Sequence, residues 1–194
     1  MAEPQLNTVT IKDTSASAGP LGLAAFGICT ILLSLTNAGV ITFDATVLSM
    51  GLFYGGFTQI IVGLLEGKKG NTFGLVAFTS YGIFWLAFVA MNVMPALGAM
   101  AAPSGGAVNA FLIMWCIFTV ILFIATLKLP KLLQLIFGTL IVLFVILIAG
   151  GLTGNTSLNT VAGYEGLVVG SLSLYGSAAF LLNEVYGKTL LPVG

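Results

Sequence analysis

The sequence contains no histidine and no arginine, and only 6 lysines and 6 acidic residues among 194 positions. Roughly a quarter of an ordinary globular sequence is Asp, Glu, Lys or Arg; here the charged share is 6% and the hydrophobic share 58%. That is too little charge to cover a soluble domain of this size, and with a mean hydropathy of +1.13 the chain reads as a membrane protein. Lysines and acids balance, which leaves no basic footprint for nucleic acid. The two cysteines, Cys29 and Cys116, stand far apart inside apolar runs, so a CxxC redox or metal pair is missing. Without histidine or a cysteine cluster, a zinc, haem or iron–sulfur centre has no ligand set. Neither a Ser–His–Asp triad nor metal-assisted hydrolysis can be assembled. The composition thus points away from enzymes, and no cofactor or metal is expected.

What the chain does have is long apolar runs. A spanning helix needs about 20 mostly apolar residues, and six such runs are read: Leu21–Ile41, Ala45–Leu65, Thr72–Met94, Ala107–Leu127, Lys131–Gly150 and Val161–Val185. The reading is an all-α membrane protein: a polar tail over 1–19, a six-helix domain over 20–187 and a short tail over 188–194. Asp44 and Ser104 are placed to cap the second and fourth helices, and Pro20 and Pro130 sit where first-turn amides are spare. The longer connections, Pro95–Gly106 and Gly151–Thr160, carry no charge. The tail over 1–19 lacks the basic start and apolar core of a cleaved signal peptide.

Lysine in short loops stays on the cytoplasmic side. Lys12, Lys68, Lys69, Lys128, Lys131 and Lys188 all fall on one side of the six spans, so both termini are expected in the cytoplasm. Asn155-Thr156-Ser157 on the other side matches a glycosylation acceptor, but the loop is short and close to the membrane.

The pairs Gly51/Gly55, Gly63/Gly67, Gly70/Gly74 and Gly166/Gly170 have the small-xxx-small spacing that lets helix backbones approach closely in lipid. On the first helix, Phe26, Thr30, Ser34 and Asn37 fall within about an 80° sector at 100° per residue. The sixth helix echoes this with Ser173, Ser177 and Glu184. Polar side chains in hydrocarbon bond another helix or face water or solute, so the stripe reads equally as glue or as pathway lining. Asp44 is read in a loop, Glu66 and Glu184 near cytoplasmic helix ends, and Glu165 in the first outer turn of the sixth helix. No carboxylate or lysine is therefore expected at mid-depth, where proton-coupled carriers often keep a relay.

The run Phe53-Tyr54-Gly55-Gly56, then Gln59, then Gly63-Leu64-Leu65-Glu66-Gly67-Lys68-Lys69-Gly70-Asn71-Thr72-Phe73-Gly74 and Phe78-Thr79-Ser80-Tyr81-Gly82 closely resembles the succinate–acetate permease (acetate uptake transporter) family. The likeness extends to Ala125-Thr126-Leu127-Lys128, Leu133-Gln134, and Asn183-Glu184 with Gly187-Lys188-Thr189, and so touches all six spans. Pro20-Leu21-Gly22-Leu23 is similar to the latter part of that family's Asn-Pro-Ala-Pro-Leu-Gly-Leu signature. The leading Asn-Pro-Ala aligns with Ser17-Ala18-Gly19, so the signature asparagine's role does not carry over, although Ser17 remains a candidate cap.

The resemblance implies a six-helix protomer with its own pathway, assembled as a homo-oligomer, a hexamer, in the plasma or inner membrane, and moving acetate and related short carboxylates such as succinate. It also implies an apolar constriction formed by Phe26, Tyr81 and Leu140. A bare carboxylate at the bilayer centre costs from a few to more than ten kcal/mol, so a pathway needs donors on either side of such a ring. Thr30, Ser34, Asn37, Gln59 and Thr79 are the candidates, and the Tyr81 hydroxyl is a further one. A short apolar ring excludes hydrated ions by dewetting. Proton symport and channel-like passage can share this lining, and the missing mid-membrane acid leans mildly toward channel-like passage or toward a protonated substrate. A channel for neutral solutes such as urea or short amides is the alternative function, and a membrane scaffold is a third reading.

Overall fold

The computed structural model describes residues 15–194; Lys12 and the rest of 1–14 lie outside the described residues. Among the described residues, six helices are long and apolar enough to cross a membrane: α1 Gly19–Asn37, α2 Ala45–Lys68, α3 Thr72–Ala96, α4 Gly105–Thr126, α5 Lys131–Thr153 and α6 Thr156–Tyr186. No strand occurs among the described residues.

Local chemistry sets the helix ends. The Asp44 side chain accepts from Thr46 N at 2.8 Å and Ser104 from Ala107 N at 3.2 Å, the two caps read from the sequence. Ser17 does not cap α1: Ala18 is the N-cap residue, without a side-chain hydrogen bond. The expected ten-residue connection Gly151–Thr160 shrinks to Gly154 and Asn155. Gly154 takes φ 67° to end α5, and Asn155 caps α6 by accepting from Ser157 N at 3.0 Å. The polar run Thr156–Thr160 lowers hydropathy but does not break the helix. As a result Glu165 lies in the third turn of α6 rather than the first. It still stands about 30 Å from the Tyr186 end at 1.5 Å per residue, near the far edge of a bilayer core. Gly70 is a turn residue at φ 74°, so Gly70/Gly74 is not a helix-packing pair.

The helices close into a ring in the order α1–α2–α3–α4–α5–α6, with α1 and α6 sharing the most extensive contact and α3–α4 the least. A Cβ on Gly27 of α1 would stand 2.8 Å from the Gly170 carbonyl oxygen of α6, so these backbones touch. Ser177 of α6 also donates to the Pro20 carbonyl at 2.7 Å. Within α2, Gly51–Thr58 is wound as a π-helix. Gly55 there lies flat against Trp85 of α3, where a Cβ would come within 2.7 Å of the indole. Such wide turns inside α-helices recur at functional sites, and Gln59 follows this one directly.

The carboxyl-terminal tail folds back across the lysine-bearing end. Asn183 Oδ1 accepts from the backbone of Leu190 and Leu191, and the Val193 carbonyl accepts from Leu132 N at 3.0 Å, supplying α5 with the cap that Pro130 cannot give.

Candidate functional site

Inside the ring, a cavity of about 430 Å3 opens toward the lysine-bearing end. Its lining follows the helical period: Pro20, Leu23 and Phe26 on α1, Gly74, Ala77, Phe78 and Tyr81 on α3, and Leu133, Ile136, Phe137 and Leu140 on α5. Nothing deeper on these helices lines it, so Phe26, Tyr81 and Leu140 form its closed end. Tyr81 and Leu140 are each nine residues into their helices, about 14 Å at 1.5 Å per residue and near the middle of a 30 Å hydrocarbon core. Phe26 sits one helical turn or less short of that depth.

The closed end is tightly packed. Phe26, Tyr81 and Leu140 are 8%, 4% and 4% exposed. The Phe26 and Tyr81 rings meet edge to face at 5.4 Å, and Phe137 approaches Tyr81 at 6.1 Å. Behind them Phe84 contacts Trp115 at 5.1 Å, Phe111 at 5.5 Å and Phe144 at 6.1 Å, so aromatic rings fill the thin α3–α4 seam.

The Tyr81 hydroxyl lies 2.8 Å from Thr119 Oγ1 on α4, and Thr119 itself donates to the Trp115 carbonyl at 2.6 Å. Because the threonine proton is committed to that carbonyl, Tyr81 is the donor in the pair. The hydroxyl is therefore engaged by α4, and the ring is what lines the cavity. Sequence reading missed Thr119; its only signal is a hydroxyl within a run as apolar as Phe111–Leu127.

Of the polar candidates, only Gln59 reaches the cavity. It is 1% exposed, and its Oε1 has no hydrogen-bond partner among the described residues. A buried amide oxygen without a partner is costly, and here Gln59 lies in the wall of a space a solute can occupy. Thr79 points instead at Gly63 of α2, with its hydroxyl also unpartnered. Ser34 is buried against Gly166 of α6, the Asn37 backbone against Gly163, and Thr30 is buried on the same helix. At Ser34 and Asn37 the stripe above Phe26 thus meets α6.

The mouth is polar. Glu66 is 5% exposed; its Oε1 accepts from Ala18 N at 3.1 Å and its Oε2 from Asn71 Nδ2 at 2.6 Å. Asn71 in turn caps α3 by accepting from Gly74 N at 2.9 Å. Ser17, Asn183 and Glu184 complete the rim. No group of three or more His, Cys, Asp or Glu suited to a metal ion occurs among the described residues.

Six membrane-length helices closed around a blind apolar vestibule, with a neutral amide at its depth and a polar mouth, define a multi-pass membrane transport protein. The chain belongs to the GPR1/FUN34/yaaH family, whose pattern matches residues 2–192. It is 48% identical over 179 residues to the succinate-acetate/proton symporter SatP of Escherichia coli K12, covering 92% of this chain and 95% of that one. Acetate permease A of Emericella nidulans is 32% identical over 195 residues, covering 92% of this chain and 65% of the permease. The solved structure of the bacterial acetate channel SatP superposes with a TM-score of 0.91 at 48% identity, over 93% of this chain and 100% of that one. These relatives are transporters and channels, not enzymes.

Proposed function

We propose that this protein carries acetate and related short carboxylates, succinate included, across the plasma or inner membrane, through a pathway inside each protomer that narrows at Phe26, Tyr81 and Leu140. The observation that carries the reading is that these three side chains, drawn from three helices, meet at the closed end of one vestibule. Membership of a family with acetate and succinate carriers supports it. In this reading both termini are cytoplasmic, the vestibule is the cytoplasmic entrance, and the protomers assemble as a homohexamer.

A small methyl-bearing acid suits an apolar ring, because its methyl group loses little on leaving water while its carboxyl end is met by Gln59. Thr30, Ser34 and Asn37 serve the far half, and Thr79, two residues short of Tyr81 on α3, serves the mouth side. For Ser34 this requires α1 to draw back from α6, since the two helices are in contact there.

The names of the relatives divide on mechanism, one a proton symporter and the other a channel. Labelled acetate flux into liposomes holding the purified protein, with and without an imposed pH gradient and with current recorded, decides between them. Flux that follows the pH gradient without net current identifies proton-coupled passage. Acetate current without a pH gradient identifies an anion channel. Urea flux that excess acetate leaves unchanged, with no acetate flux, would replace this reading with the neutral-solute one.

A further inference from the structure

The vestibule proposed to admit carboxylates is itself lined by carboxylates. Glu66 stands buried in its wall and Glu184 exposed at its rim, and no lysine lines it among the described residues. The two groups that bond Glu66, the Ala18 N–H and the Asn71 amide, are uncharged, so they solvate its charge without cancelling it.

The neighbouring elements do not neutralise it either. Among the described residues, α1 and α3 bring no charged side chain, and Glu184 on α6 adds a like charge. Lys69 donates to the Ser15 carbonyl at 2.8 Å, and Lys68, Lys131 and Lys188 are exposed at the ends of α2, α5 and α6. At the closed end the polar group is the neutral amide of Gln59. Among the described residues, a solute entering this space passes two carboxylates in its lining and meets no cation there. Like charges a few ångströms apart in a partly desolvated site repel in proportion to solute charge.

We propose that Glu66, aided by Glu184, makes the vestibule a charge filter that admits neutral carboxylic acids and monoanions and disfavours dianions. Glu66 is thus a specificity-determining residue for this transport. The proposal rests on the carboxylate-transport reading above. A dicarboxylate passes well only when protonation has lowered its charge.

The test compares labelled succinate and labelled acetate flux through the full chain in liposomes at neutral pH, where both succinate carboxyls are ionised. In Glu66→Gln the succinate-to-acetate ratio rises on the order of tenfold, the effect of removing one like charge several ångströms from the solute. Glu184→Gln, at an exposed position, raises it by a smaller factor. Raising ionic strength raises the ratio in the unsubstituted protein, because screening weakens the same repulsion.

Ala18→Pro removes the N–H that bonds Glu66 but keeps the charge, so its ratio stays at the unsubstituted value. A ratio that stays flat in Glu66→Gln while acetate flux persists overturns the filter, as does a rise in Ala18→Pro equal to that in Glu66→Gln. Should Glu66→Gln fail to fold, a flat ratio in Glu184→Gln and across ionic strength overturns it. Absence of acetate flux in the unsubstituted protein overturns instead the transport reading on which the filter rests.

Discussion

At Tyr81 the hydroxyl proton goes to Thr119 of α4, and an aromatic ring is what faces the vestibule. Replacing Tyr81 with Phe removes one neutral hydrogen bond at the α3–α4 seam, a loss of about 1 kcal/mol. A thermal-shift measurement should therefore show a modest fall in stability, and acetate flux should stay near the unsubstituted level. Loss of flux in a stable Tyr81→Phe protein would mean that the hydroxyl serves the solute. Residue-scale features were legible where their partners are near in sequence: the Asp44 and Ser104 caps bond amides two and three residues on. Thr119, 38 residues from Tyr81, and Glu66, 48 residues from Ala18, were not, because only the folded ring brings those pairs together. Position 18 departs from the signature. The family signature that Pro20-Leu21-Gly22-Leu23 resembles has proline there, which has no N–H, whereas Ala18 donates to Glu66.

Among the helices, the α1–α6 contact depends on the absence of side chains. A Cβ on Gly170 would approach the Gly27 carbonyl oxygen at 2.8 Å and the Ile31 side chain at 2.6 Å. Gly170→Leu accordingly forces the helices apart, and overpacking of this kind costs about 1–3 kcal/mol or more. The expected outcome is a large loss of monodisperse protein in detergent, read by size-exclusion profile. Gly105→Ala, whose added Cβ meets nothing within 4 Å, leaves the profile unchanged. The Gly166/Gly170 spacing was legible as packing, but the sequence did not say which helix was the partner. Two other features escaped it for physical reasons. The π-wound stretch Gly51–Thr58 shifts hydrogen-bond register without changing hydropathy. The polar run Thr156–Thr160 looks like a loop to a hydropathy reading, yet Asn155 caps it into helix.

At the scale of the molecule, six apolar runs fixed the class and span count, since a chain with so little charge has few other ways to bury its surface. The proposed orientation, with both termini cytoplasmic, rests on the lysines. All those described lie at the end where the vestibule opens. A cysteine in place of Ser104, on the opposite side, should react with a membrane-impermeant thiol reagent applied to intact cells. One in place of Lys188 should react only after permeabilisation, and the reverse pattern would invert the topology. The apolar vestibule wall itself was hard to read, because Ile136 and Phe137 look like any core residues until the ring closes around empty space. The central claim is that solute crosses at the meeting point of Phe26, Tyr81 and Leu140. It is tested most directly by reconstituting Leu140→Cys, measuring labelled acetate flux, and repeating the measurement after modification with a small thiosulfonate, with the unsubstituted protein treated alike as the control for Cys29 and Cys116. The account predicts flux before modification, flux no greater than that of empty liposomes after it, and an unaffected control; undiminished flux through fully modified Leu140→Cys would contradict it.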